Sequence, residues 1–322
     1  MKRLSLVLAA SLFAACGGTA VDDFRAASPS RQGIDIKTPS NGQALTGDGI
    51  GTQSQALGEL SPWYLVTWAT TTTVNTATAW VLGVCEAIVS HDPTTATDQQ
   101  AVWGPYTEPL SPDTFKFTVT KNPDGTYDYA LEGKPKAADD SAYVKLIVGH
   151  HIPTAAKHIG KGTFTVDWDA ARTLGGLHTD VGSAAFTYER NPHFDVAVGV
   201  VFHQVKDGND PSKRVDAAYA FSQIAGGEGT FEFATLSDWK GLPGSQPGNL
   251  ERFAIKSRWA HSGAGRADLM ASGGDLAQDV TLSECWGNSF LRVYYTDSLG
   301  FTKTEGLESD CAFSPASYTD IQ

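Results

Sequence analysis

The chain has 322 residues, with 24 Lys and Arg against 36 Asp and Glu, for a formal charge of −12 at pH 7. A balance this acidic, without a basic run, argues against a nucleic-acid partner, whose affinity comes largely from cations neutralising phosphates, and against electrostatic docking on anionic lipid. The length suits one large domain or two small ones.

Lys2 and Arg3 precede an apolar run from Leu4 to Phe13 and then small residues, the layout of an export signal. Such a run is too short to span a bilayer, which takes roughly 20 residues. Two cleavage readings compete: a lipoprotein-type cut before Cys16, giving a signal peptide of residues 1–15, or an ordinary cut after Ala20. The first retains Cys16 as an acylated N-terminus carrying palmitate-type chains, and it is the reading adopted as the expectation. Loss of Lys2 and Arg3 leaves 22 basic against 36 acidic residues, a charge of −14. Residues 16–56 are rich in Gly, Ser, Thr, Gln and Asp with few large apolar side chains. Such a segment cannot offset its ordering entropy by burial, and it reads as a flexible tether. About 40 residues of flexible coil reach roughly 35 Å.

Residues 57–322 read as one β-rich domain that begins with a helix at about 61–91. Ser61-Pro62 supplies an N-cap and a first-turn proline. Val74, Ala77, Val81, Val84, Cys85 and Ile88 then recur at helical spacing until His91-Asp92-Pro93. Four threonines at 70–73 are poor helix formers, a place where the helix could break. From Phe115 the period becomes 2. Around Asn122-Pro123-Asp124-Gly125, FKFTVT and TYDYALE form a hairpin. The alternation returns in YVKLIVG, GTFTVDWD, SAAFTYE, FDVAVGVVFHQV, VDAAYAF, GTFEFAT, RFAIKSRW, GRADLMA, VTLSECW and LRVYYTD. In the longest, Phe194, Val196, Val198, Val200 and Phe202 share a face.

About twelve short strands joined by short polar loops give an all-β antiparallel meander. Twelve strands leave a wide interior, so the expected architecture is a strongly curved sheet or half-barrel with the N-terminal helix on its concave face. A closed barrel and a two-layer sandwich are the alternatives. A membrane barrel fits poorly with a lipid anchor and many short strands.

Four cysteines occur. Acylation of Cys16 leaves three, an odd number. Cys285 and Cys311 lie in polar, turn-rich surroundings and are expected to form a disulfide in an oxidising compartment, while Cys85 reads as a small buried hydrophobe. Bridging Cys285 to Cys311 contributes about 3 kcal/mol in the chain-entropy model.

The chemistry-bearing residues form no strong motif. His150, His151, His158 and His178, with Asp180, have no metal-ligand spacing, and they read as polar loop residues, with His150 continuing the face of Val144, Leu146 and Val148. Glu284 falls on the face of Val280, Leu282 and Trp286. An inward carboxylate there is either a general acid of raised pKa or one that reaches a partner or water, and the second reading is preferred. No G-x-S-x-G elbow occurs. Gly263-Ala264-Gly265 precedes a strand and reads as a turn, and Asp207, Asn209 and Asp210 read as a solvated hairpin loop rather than a calcium site. No catalytic, cofactor or metal residue is assigned.

The stretches WGPYTEPLSPDTFKFTVT, LEGKPKAADDSAYVKLIVG, GTFTVDWDAARTL, SRWAHSGAGRADLMASGGD and LSECWGNSFLRVYYTDS resemble a group of uncharacterised cell-envelope lipoproteins of myxobacterial type, over roughly residues 57–315. The resemblance implies export, acylation and a single domain, and it brings no activity. The expected architecture is separately similar to the half-barrels that carry or receive lipoproteins at the outer membrane. The functional expectation is a lipid-anchored, non-catalytic binding or carrier protein for an apolar ligand, lipid or envelope protein partner. Alternatives are a purely structural lipoprotein and an envelope hydrolase using Glu284 or the histidines. Gly17 after the cysteine favours the outer membrane.

Overall fold

The twelve sequence segments of period 2 become twelve consecutive strands. They are β3 (Asp113–Lys121), β4 (Tyr127–Pro135), β5 (Val144–Pro153), β6 (Gly160–Asp167), β7 (Ser183–Arg190), β8 (Val196–Lys206), β9 (Arg214–Gln223), β10 (Gly229–Ser237), β11 (Glu251–Trp259), β12 (Gly265–Ser272), β13 (Val280–Trp286) and β14 (Arg292–Asp297). The computed structural model describes residues 18–28, 38, 56–154, 159–176, 179–193, 195–207, 210–224, 227–238, 242 and 244–318, without side chains at 18–20, 73, 74 and 76–81. The expected signal peptide, Cys16, Phe194, His158, His178 and Asn209 lie outside the described residues.

Among the described residues, three further strands bring the expected number of about twelve to fifteen. β1 (Thr95–Ala96) and β15 (Glu305–Gly306) have two residues each, too few to show a period, and β2 (Gln100–Tyr106) has its alternation interrupted by Gly104-Pro105. All fifteen form one antiparallel meander in sequence order, with β1 and β15 as the two edges of an unclosed sheet.

Register explains the division of labour between the faces. On one face, Val119, Tyr129, Gly149, Phe164, Phe186, Val200, Tyr219, Phe233, Ile255 and Leu269 follow one another across β3 to β12. Most are buried, and all but Gly149 belong to or pack against a single apolar cluster. Cross-strand neighbours of this kind are the unit of sheet stability. Trp259 and Trp286 fit the same face because their strand neighbours Gly229 and Gly265 have no Cβ to collide with the indoles.

The cluster also takes in residues of two helices. Helix α1 (Gly18–Ala27) lies inside the segment expected to be tether, and corrects that expectation in part. Phe24 and Ala27 are buried, Phe24 sets its edge against Tyr127 with centroids 6.0 Å apart, and Arg25 Nε donates to Val89 O at 2.9 Å. Helix α2 (Pro62–Val89) matches the helix expected at about 61–91 and is continuous through the threonines. Ser61 caps it by accepting from Tyr64 N, and Thr67 and Thr71 return their hydroxyls to the carbonyls of Trp63 (2.7 Å) and Thr67 (2.9 Å), so these side chains satisfy themselves within the helix. Its buried positions include Tyr64, Leu65, Leu82, Cys85 and Val89. The N-terminal half meets β11 and β13 through Thr67–Ser257 (2.6 Å) and Trp63 N to Glu284 (3.2 Å). Beyond its C-terminus, His91 O accepts from Trp103 Nε1 of β2 at 2.9 Å. A short helix α3 (Trp168–Ala171) follows β6.

Candidate functional site

Glu284 points to the apolar face and is fully buried, as its alternation implies. It does not stand alone. The Ser61 hydroxyl donates to Oε1, Trp63 N donates to the same oxygen, and Arg292, itself buried, donates to Oε2 at 2.6 Å. Burial raises the carboxyl pKa; the Ser61 bond and the Arg292 charge oppose the rise without cancelling it. A carboxylate so engaged ties the first turn of α2 to β13 and β14 and has no free oxygen to present to a substrate.

The histidines do not converge. His150 and His151 are strand neighbours and therefore face opposite sides. His151 is buried, with Nδ1 2.9 Å from the Tyr188 hydroxyl. His150 lies on the other face, with Nδ1 2.6 Å from Asp128 Oδ1. Asp180 is exposed. Asp207 accepts from Ser237 at 2.9 Å, and Asp210 accepts from the Ser212 hydroxyl at 2.6 Å, so both serve loop geometry. Among the described residues no three His, Cys, Asp or Glu are grouped to hold a metal ion, and no helix is long and apolar enough to cross a membrane. Gly263, at φ 92°, forms the expected turn between β11 and β12.

Cys285 and Cys311 form the expected disulfide, with Cα atoms 5.5 Å apart. Cys85 is free and fully buried, and burial pushes its thiol pKa up to about 12.

The face away from α2 carries what the linear sequence did not reveal. One row across it reads Asp128, His150, Thr163, Thr187, Gly199, Ala220, Glu232, Lys256, Asp268, Ser283. The adjacent row reads Lys161, Glu189, Ala197, Ser222, Thr230, Arg258, Arg266, Cys285. Over β11 to β13 these rows are covered by the C-terminal segment, residues 308–318. Arg266 holds Asp268 at 2.8 Å, Glu308 at 2.9 Å and Phe313 O at 3.3 Å. Arg258 donates to Ser314 O at 2.7 Å, Lys256 to Ser317 O at 3.1 Å, and Asp268 accepts from Ala316 N at 3.1 Å. Under this cover Arg266 is 1% exposed and Asp268 4%. Only register, which sequence alone does not supply, brings these strand residues into line.

Toward β5, no described residue of the C-terminal segment covers the same rows. Three adjoining cavities of about 370, 490 and 490 Å³ lie along them, sharing Glu189 and Ala197, then His150 and Thr163, as common walls. Phe313 of the C-terminal segment walls the first.

No protein-family model, curated protein or solved structure matches this chain.

Proposed function

We propose that the protein is a lipid-anchored cell-envelope lipoprotein, acylated at Cys16 and held at the outer membrane, whose β domain binds a protein partner without catalysis. The domain is a strongly curved half-barrel wrapped on α2. Support for the curvature comes from α2 engaging β11 and β13 near its start and β2 just beyond its end, strands that lie far apart in the sheet order.

One observation carries the choice of a protein partner over an apolar cargo. Among the described residues, the face toward α2 packs Tyr64, Leu82 and Cys85 of the helix with Trp103, Phe117, Trp259 and Trp286, all fully or almost fully buried, whereas three cavities lie on the opposite, polar face. Where the described side chains pack this closely they leave no room for an acyl chain. Glu284, the strongest candidate acid, is occupied in holding α2, which favours binding over hydrolysis.

Fractionation tests the anchor. The native protein is expected in the membrane fraction and Cys16→Ala in the soluble fraction. A mature chain beginning at Val21 would overturn it.

A further inference from the structure

We propose that the open stretch of the distal face is a docking trough for an extended polypeptide segment of a partner protein, one with small, uncharged side chains. This rests on the reading above that the domain works by binding a protein partner on its polar face. The occupant is argued from the chain's own C-terminal segment, whose irregular residues 313–317 already lie on the two rows and are held through their backbone. Lys256, Arg258 and Arg266 donate to the carbonyls of Ser317, Ser314 and Phe313, and Asp268 accepts from the Ala316 amide. Main-chain bonds to charged groups are among the stronger hydrogen bonds available to a peptide.

Past the described residues of that segment, the rows continue toward β5. Thr187, Gly199, Ala220, Ala197 and Ser222 form a floor of small side chains, which lets a backbone approach closely. Past the floor, Lys161 and Glu189 face each other across β6 and β7, both exposed. They offer the two kinds of group that Lys256 and Asp268 offer to the C-terminal segment, a cation for carbonyls and a carboxylate for amides. From β10 to β5 the open stretch is about 24 Å at the usual strand spacing, room for about seven extended residues. The strip already bound has the sequence AFSPASY over residues 312–318, and its small residues suit such a floor. Acidic and basic groups are interspersed along the trough, which disfavours a highly charged occupant.

The test is nuclear magnetic resonance titration of the full mature chain with a synthetic AFSPASY peptide, with maltohexaose as a separate probe. The expected result is a peptide-dependent shift of the amides of Thr163, Thr187, Gly199 and Ala220. Ala220→Arg and Ser222→Arg, each of which fills the floor on an outward position, should weaken binding about tenfold or more while leaving the remaining spectrum intact. Shifts from maltohexaose without shifts from the peptide would overturn the proposal, as would peptide shifts confined to β11–β13 or no shift at all. Peptide binding that occurs only after removal of residues 319–322 would assign the trough to the chain's own C-terminus and also overturn it. A negative titration overturns the trough alone; the partner-binding reading fails instead if a stoichiometric lipid is found bound to the folded domain by native mass spectrometry, so the two fail separately.

Discussion

Arg292→Met isolates the buried ion pair on which the seating of α2 depends. Both partners are essentially inaccessible, Glu284 at 0% and Arg292 at 2%, and removing one partner of such a pair leaves an uncompensated charge that costs about 3–5 kcal/mol. Arg292 Nη1 also lies 3.5 Å from Glu305 Oε2, and the guanidinium sits 4.6 Å from the Tyr295 ring centroid, so the upper half of that range is expected. For a chain of this size that is about 6–10 °C in melting temperature. The double variant Glu284→Leu/Arg292→Met should recover most of the loss, because a buried pair replaced by apolar groups is often neutral. The loss should also depend on pH. Burial raises the Glu284 pKa above its ordinary value of 4.5 even with Arg292 in place, so its contribution is present below that value and is lost as pH rises through the raised folded value. Without Arg292 the rise is larger, and the variant should be penalised more at pH 7 than at pH 4.5. Urea unfolding at the two pH values measures both effects. A loss under about 1 kcal/mol, or single-variant losses that simply add in the double variant, would refute the reasoning.

Phe24→Ala should cost about 3 kcal/mol by emptying a buried site and should release α1 to proteolysis; a fully protected α1 would contradict its docking. Converting both Cys285 and Cys311 to Ser should cost about 3 kcal/mol and raise hydrogen exchange at residues 308–318 while β3–β9 stay protected. Cys85, buried with a pKa pushed up to about 12, should react with a thiol reagent only in denaturant, and labelling of the native protein at neutral pH would argue against its burial. Burial pushes the Asp297 carboxyl up, but the amides of Thr302, Phe301 and Leu299 and the Tyr295 hydroxyl outweigh it and hold the pKa below 3.8. Its contribution is therefore present above that value and lost as pH falls through the folded value, so Asp297→Asn should flatten the acid limb of the stability curve.

What was legible in the sequence was what period and local turn chemistry encode. β3 to β14 follow from alternation, and the inward direction of Glu284 follows from its place between Leu282 and Trp286. The partner Arg292 does not, because the β13–β14 register shifts between Cys285 and Trp286. The same period 2 separates His150 from His151, a consequence that a grouping by sequence proximity overlooks. Helix α1 was missed because GTAVDDFRAA offers a single large apolar anchor, Phe24, whose value comes from Tyr127, far along the chain. The polar rows of the distal face were invisible for a related reason. Thr163, Thr187 and Ala220 are unremarked singly, and only ladder register sets them beside one another.

Native mass spectrometry of the protein extracted from its own membranes tests the central claim most directly. The account predicts the mass of a chain beginning at an acylated Cys16, with no further lipid bound to the folded domain. A chain beginning at Val21, or a stoichiometric lipid that leaves only on unfolding, would contradict it.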